Sequence, residues 1–399
     1  MTKTKLYLIV FIVFPLFLTG CWDQIEIEDR GFIIGVAIDL FEGIEEESDD
    51  PQGEYQYKGT WQYVVPGDFS MGTSGQSGGG SQKPYDNVST ISDSLLIQAR
   101  NLSANKSRPA FAEHMQVIII SDKLAKTPGA FENILDLFIR DDEMRRGMIV
   151  MISEGEASPI LDMPARPENL PALNLKSISE NIGKNSKIHP PVRIGAIHQY
   201  LIGQNSFTIP KVAIDGKTLS MTGAAVFQGN NNQMIDFISG DVIEGLNFIT
   251  GKYKGGFIKA KVKEQLVVYD VKNARSIINV DVKNKENIHF NIEIQTEGII
   301  GESFVPLDYS NSKMMKKVEN AIEKEVERKV LKTIHTFQKD LKADSLGLGG
   351  HLQGEDHKTW NRIKQNWDQG ENYFSKSTIN VQVKAFVRNS GAVIESSDQ

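Results

Sequence analysis

Cys21 is the single cysteine in 399 residues, and it closes the tetrad Leu18-Thr19-Gly20-Cys21. Lys3 and Lys5 give a basic start, and Leu6 to Leu18 is apolar apart from Tyr7 and is interrupted by Pro15. Thirteen helical residues reach only ~20 Å, short of a ~30 Å hydrocarbon core, so the segment reads as a secretory signal, not a permanent span. Thr19 and Gly20 fit the narrow subsites of a signal peptidase. A thiol is the best side-chain nucleophile for accepting a lipid group. The expectation is removal of residues 1–20 and a thioether-linked diacylglycerol on Cys21, with N-acylation by palmitate as a further modification open to the freed amino group. Two acyl chains hold a protein on a bilayer where one alone binds marginally.

Other groups that carry chemistry elsewhere do not assemble into a site in this sequence. Gly75-Gln76-Ser77-Gly78-Gly79 matches G-x-S-x-G, but it lies in a Gly/Ser-rich stretch from Gly67 to Pro84 with no helix directly after it. A nucleophilic serine needs the tight strand-to-helix turn. The same glycines lack the Gly-Lys-Ser/Thr ending of a phosphate loop. The histidines, at 114, 189, 198, 289, 335, 351 and 357, form no H-E-x-x-H or H-x₃-H pair. His351 and His357 flank Glu355 and Asp356, which a polar loop between helices explains. The acidic run Glu45, Glu46, Glu47, Asp49 and Asp50 lacks calcium-loop spacing. Arg140, Asp141, Asp142, Glu143, Arg145 and Arg146 read as capping and local ion pairs at a helix end. Trp360 and Trp367, seven apart, share a helical face suited to core packing. Sequence therefore assigns no catalytic, cofactor or metal residue, and its one modified position is Cys21.

The net charge of −7, with no Lys/Arg run interleaved with aromatics, argues against nucleic-acid binding. After residue 20 the chain is long enough for two or three cores. Gly31 to Leu40 reads as a buried strand about ten residues beyond Cys21, which places it within ~35 Å of the bilayer. Tyr55 to Val65 returns as its hairpin partner. A helix over Asn87 to Ser103, apolar strands at Met115–Ile120 and Met148–Ile152, and a helix with Phe131, Ile134, Leu135 and Phe138 on one face predict an α/β layer with parallel pairing. Residues 159–218 read as a linking or middle domain. Beyond 219 the segments Leu219–Gln228, Gly256–Tyr269, Ala274–Lys283 and Ile288–Ile300 predict an antiparallel sheet, with a short helix at Asp241–Ile249. A long helix over Ser310 to Ala343 carries the stripe Met315, Val318, Ile322, Val326, Leu331, Ile334, Phe337 and Leu341. Leu346 to Gly350 stops it, a helix follows over Thr359 to Gln369, and Ser377 to Val387 closes as a strand. The expected architecture is α/β and α+β in three domains, at 21–158, 159–218 and 219–399.

Several segments together resemble the Ger(x)C family, the lipoprotein C subunits of spore germinant receptors in spore-forming Gram-positive bacteria. They are the lipobox running into Cys21-Trp22-Asp23 with Ile27-Glu28 and Gly35–Asp39; Met221–Phe227 (MTGAAVF) with Ser239–Gly251 (SGDVIEGLNFITG); and Asp344–Gly350 (DSLGLGG) with the Trp360–Trp367 segment and Val381–Gly391. The long Gly67–Pro84 insertion and the Asn230-Asn231-Asn232 turn depart from the pattern. The resemblance implies a non-enzymatic mixed α/β exoprotein, lipid-anchored at Cys21 on the outer face of the cell or spore inner membrane. It would act with two integral membrane subunits, A and B. Two other readings differ from this one. A lipid-anchored solute-binding protein delivering nutrient to a membrane partner requires a deep interdomain cleft with convergent polar groups. A cell-wall hydrolase requires a carboxylate pair or metal triad, for which the sequence gives no support.

Overall fold

The computed structural model describes residues 30–43, 54–65, 83–284, 287–305, 308 and 311–388. Cys21, the G-x-S-x-G segment and the acidic run Glu45–Asp50 lie outside them. The fold is mixed α/β with two sheets.

The first body opens with β1 (Gly31–Phe41), β2 (Gln56–Val64), β3 (Tyr85–Ser92), α1 (Leu95–Asn105), β4 (Ala110–Phe111) and β5 (Val117–Ser121). It continues with α2 (Asp122–Lys126), α3 (Ala130–Arg140), β6 (Ile149–Ser153), a 3-10 turn (Ser158–Asp162), α4 (Pro171–Ser179), β7 (Val192–Arg193) and α5 (Ile194–Gly203). Strands β8 (Phe207–Asp215), β9 (Thr218–Ser220), β10 (Ala224–Gln228) and β11 (Gln233–Ile238) complete it. The sheet runs β11-β10-β8-β6-β5-β1-β2-β3. Its centre is parallel, β1 to β5 to β6 to β8, and its flanks are antiparallel.

The parallel centre follows from composition. Strands β5 (VIIIS) and β6 (IVMIS) are buried at every position, as a strand covered on both faces must be. Ile118 and Ile120 meet Phe131, Ile134, Leu135 and Phe138 of α3 on one face. Val117 and Ile119 meet Ile160, Leu161, Ala172 and Leu175 on the other.

The second body comprises α6 (Asp241–Ile249), β12 (Gly256–Val262), β13 (Gln265–Asn284), β14 (Asn287–Ser303) and α7 (Ser312–His335), which runs into a π turn (Thr336–Leu341). Then come α8 (Leu348–Glu355), α9 (His357–Ile363), α10 (Tyr373–Lys376) and β15 (Thr378–Val387). The sheet order is β12-β13-β14-β15. Helix α7 lays Val318, Ile322, Val326, Val330 and Ile334 into the same core as Phe290, Ile292 and Ile294 of β14.

Five expectations are corrected. Residues 87–92 are strand: Val88, Thr90 and Ile91 are β-branched and pair with β2, and the helix starts only after Ser94, whose side chain caps Ile97 N–H. The strand expected within Leu219–Gln228 belongs to the first sheet, not the second, because β8 pairs with both β6 and β10. The second sheet is not wholly antiparallel: β15 runs parallel to β14, since the segment between them, with α7, is long enough for a crossover. Leu331 is 46% exposed, because the buried stripe steps from Val326 to Val330 to Ile334 and Leu331 falls off it. Leu346–Gly350 does not stop the long helix, whose π turn ends at Leu341 with Lys342 as a left-handed cap; Leu348 instead opens α8.

Strand β10 locks the two bodies together. Its alternation sends Ala225 and Phe227 into the first core and Ala224 and Val226 into the second. Helix α6 adds a polar clamp. Asn247 Nδ2 donates to the carbonyls of Ser186 (2.9 Å) and Ile188 (3.2 Å), and Ser186 Oγ donates to Glu244 Oε1 at 3.0 Å. Glu244, almost fully buried, is paired with Lys329 of α7, which also reaches Asp241. Burial alone would raise the Asp241 carboxyl; hydrogen bonds from Lys329 and Arg328 outweigh it and hold the group at about 2. Gly245 faces α7 so closely that a Cβ would meet Thr333 Oγ1 at 2.1 Å and the Lys329 carbonyl at 2.7 Å. Gly245→Ala should therefore destabilise the fold by roughly 1–3 kcal/mol through overpacking. A lowered denaturation midpoint checks this, and an unchanged one would mean the helices separate freely.

Candidate functional site

Asp344, first residue of the DSLGLGG segment, is a buried acid of the second body. It lies in the turn between the π turn and α8, and its carboxylate accepts from three donors. These are Leu348 N–H at 3.1 Å, Gly349 N–H at 2.6 Å and Trp367 Nε1–H at 2.7 Å. The glycine at 349 is required by closeness: a Cβ there would meet Trp367 Nε1 at 2.8 Å and the Trp360 ring at 2.9 Å. The turn and helix start resemble an anion cradle in shape, but the first amides of α8 already hold this internal carboxylate.

From Asp344 the network crosses to the first body. Its N–H donates to Asp368 Oδ2 at 3.0 Å, and Ser206 Oγ donates to the same oxygen at 2.5 Å. Gly229 N–H donates back to Ser206 Oγ, and Gln228 Nε2 to the Asp368 carbonyl. Burial pushes the Asp344 carboxyl up to about 6, with the Asp368 charge adding to the rise and the three donors opposing it.

Trp360 and Trp367 are both buried and meet edge to face, with centroids 5.9 Å apart. They are not on one continuous helix, because α9 ends at Ile363 and a 3-10 turn carries the chain on. Trp367 also packs on Phe290 and Phe374. Beside this cluster lies a cleft of about 840 Å³ between the two bodies. One wall is the end of α5 and the start of β8; the other is the 344–369 segment.

The remaining sequence candidates are structural where they are described. Asp356 caps α9 by accepting from Thr359 N–H (2.9 Å) and Oγ1 (2.7 Å), which lowers its pKa, so the region between His351 and His357 is a helix start. No group of three or more His, Cys, Asp or Glu able to hold a metal occurs among the described residues. Arg140 makes a bidentate pair with Asp136 one turn earlier, and Asp141 accepts from Glu143 N–H. His189 is buried with Nε2 2.8 Å from Thr208 Oγ1; burial, with Lys252 nearby, drives its pKa down to about 3 and keeps it neutral. Asn232 of the Asn-rich turn reaches Glu132 of α3. No helix among the described residues is long and apolar enough to cross a membrane. Sequence reasoning missed the Asp344–Asp368–Ser206 network. The DSLGLGG segment marked one end of it, but nothing local in the sequence joins position 344 to 368 and 206.

A two-body α/β protein whose polar clusters serve the seam between its bodies is the class these observations define. Family models match nearly the whole chain: a spore germination protein N-terminal domain over residues 23–214, and a spore germination B3/GerAC-like C-terminal domain over 222–391. The chain belongs to the spore germination B3/GerAC-like family. It is 31% identical to spore germination protein YndF of Bacillus subtilis, across 97% of this chain and 96% of that protein. It is 28% identical to spore germination protein B3 of the same organism, across 98% and 99%. The crystal structure of the GerBC protein matches with a TM-score of 0.59 at 24% identity, over 88% of this chain and 97% of that one, a likeness of fold. These relatives support a role in spore germination. Strands β10 and β11 belong to the second matched segment yet complete the sheet of the first.

Asp344→Asn leaves one acceptor oxygen for three donors and should cost roughly 1–3 kcal/mol at neutral pH. The folded carboxyl titrates near 6 and an unfolded aspartate near 3.8, so the folded chain holds the extra proton between those values. The contribution of Asp344 is therefore full below about pH 4 and falls as pH rises to about 6. Denaturation midpoints of wild type and variant should differ more at pH 4 than at pH 7. A difference that does not change with pH contradicts the buried carboxyl.

Proposed function

We propose that the chain is a non-enzymatic, lipid-anchored subunit of a nutrient germinant receptor, acting with two integral membrane subunits, A and B. The observation that carries this reading is full-length family membership together with the lipobox ending at Cys21. The thiol of Cys21 takes a diacylglycerol, the freed amino group is available for palmitate, and the protein sits on the outer face of the cell or spore inner membrane. Arg30, where the described fold begins, follows Cys21 by nine positions, so the tether is at most ~32 Å long. That holds the first body near the bilayer. Tethering replaces a three-dimensional search by an encounter at high local concentration, which raises avidity by about 10²–10⁴-fold without any new contact. The work of the subunit is then to present a fixed surface to its partners.

Cys21→Ala should move the protein out of the membrane fraction and impair nutrient-triggered germination. Fractionation and germination assays on the same spores read both effects. Full membrane retention with a wild-type response would remove the lipid from the mechanism.

A further inference from the structure

The cleft beside Asp344 has an unbalanced set of polar groups. Its two carboxylates are engaged, Asp344 by three donors and Asp368 by Ser206 Oγ and the Asp344 N–H. Its two lysines, Lys252 and Lys364, pair with no carboxylate among the described residues. Lys252 is an exposed residue overall, yet loss of water around its ammonium lowers its pKa. The same cleft exposes apolar surface, with Ile202 73% exposed beside Tyr200.

These features select a ligand class. Cationic lining with no unengaged carboxylate disfavours a metal ion or an amine. The first amides of α8 are occupied by Asp344, which removes the usual phosphate-binding element of a helix start. A volume of about 840 Å³ falls in the range of small-molecule sites. We propose that this interdomain cleft binds a small organic carboxylate. Lys252 and Lys364 meet its charge, and its hydrocarbon part lies against Tyr200 and Ile202. The proposal goes beyond the receptor reading and does not depend on the lipid at Cys21.

The test is titration of the full chain in mild detergent with acetate, succinate and L-malate, with inorganic phosphate and glycerol as comparisons. Calorimetry reads binding directly, and tryptophan fluorescence reports it because Trp360 and Trp367 line the cleft. At least one carboxylate should saturate at up to millimolar concentration, with neither comparison doing so. Lys252→Gln should weaken that binding about tenfold or more, the size expected for loss of a charge-assisted bond, with melting unchanged. Lys364→Gln, which removes the second unpaired charge of the lining, should weaken it as well. Absence of saturation by all three carboxylates, equal or tighter binding of phosphate, or wild-type affinity in both variants would each overturn the proposal.

Discussion

A carboxylate removed from water must find donors for its oxygens or lose its charge, and Asp344 meets that demand in a way that shapes the second body. Its three donors come from two places, the opening turn of α8 and the indole of Trp367. Satisfying them fixes where α8 starts, why residue 349 has no side chain, and how Trp367 stands against Trp360 and Phe290. Asp368, next to Trp367, then accepts from Asp344 and from Ser206 of the first body. One buried acid thus connects the core of one body to the wall of the other. Helix α6 makes a second connection on the same principle, with Glu244 and Asn247 bonded to residues 186–188 and to α7.

Much of this was legible where the physics is local. The buried runs of β5 and β6 and the apolar face of α3 follow from residue type and period alone. Helix α6 lies where its pattern predicts. Legibility failed where two local patterns compete or where a distant partner decides. Asn87–Ser92 carries enough apolar residues for a helix, but pairing with β2 makes it a strand. β10 and β11 look like the start of an antiparallel sheet, and they are antiparallel, but β8 recruits them to the other body. Gly-rich Leu346–Gly350 opens a helix instead of ending one, because the Asp344 carboxylate accepts from the Leu348 and Gly349 N–H groups.

The segments that carry the family resemblance can be read as parts of this architecture. MTGAAVF is the strand shared between two cores; SGDVIEGLNFITG is the clamp helix with its close-packed glycine; DSLGLGG is the buried acid and its turn. Their shared effect is to make two bodies into one seam-locked unit. On the proposed reading, a receptor subunit that transmits contact needs such a unit, and Cys21 supplies its address.

The most direct measurement is isolation of the tagged chain from spore membranes dissolved in mild detergent, followed by mass spectrometry of what accompanies it. The account predicts two integral membrane proteins of one receptor in fixed ratio to the chain. A chain that elutes alone from membranes still competent to germinate would contradict it.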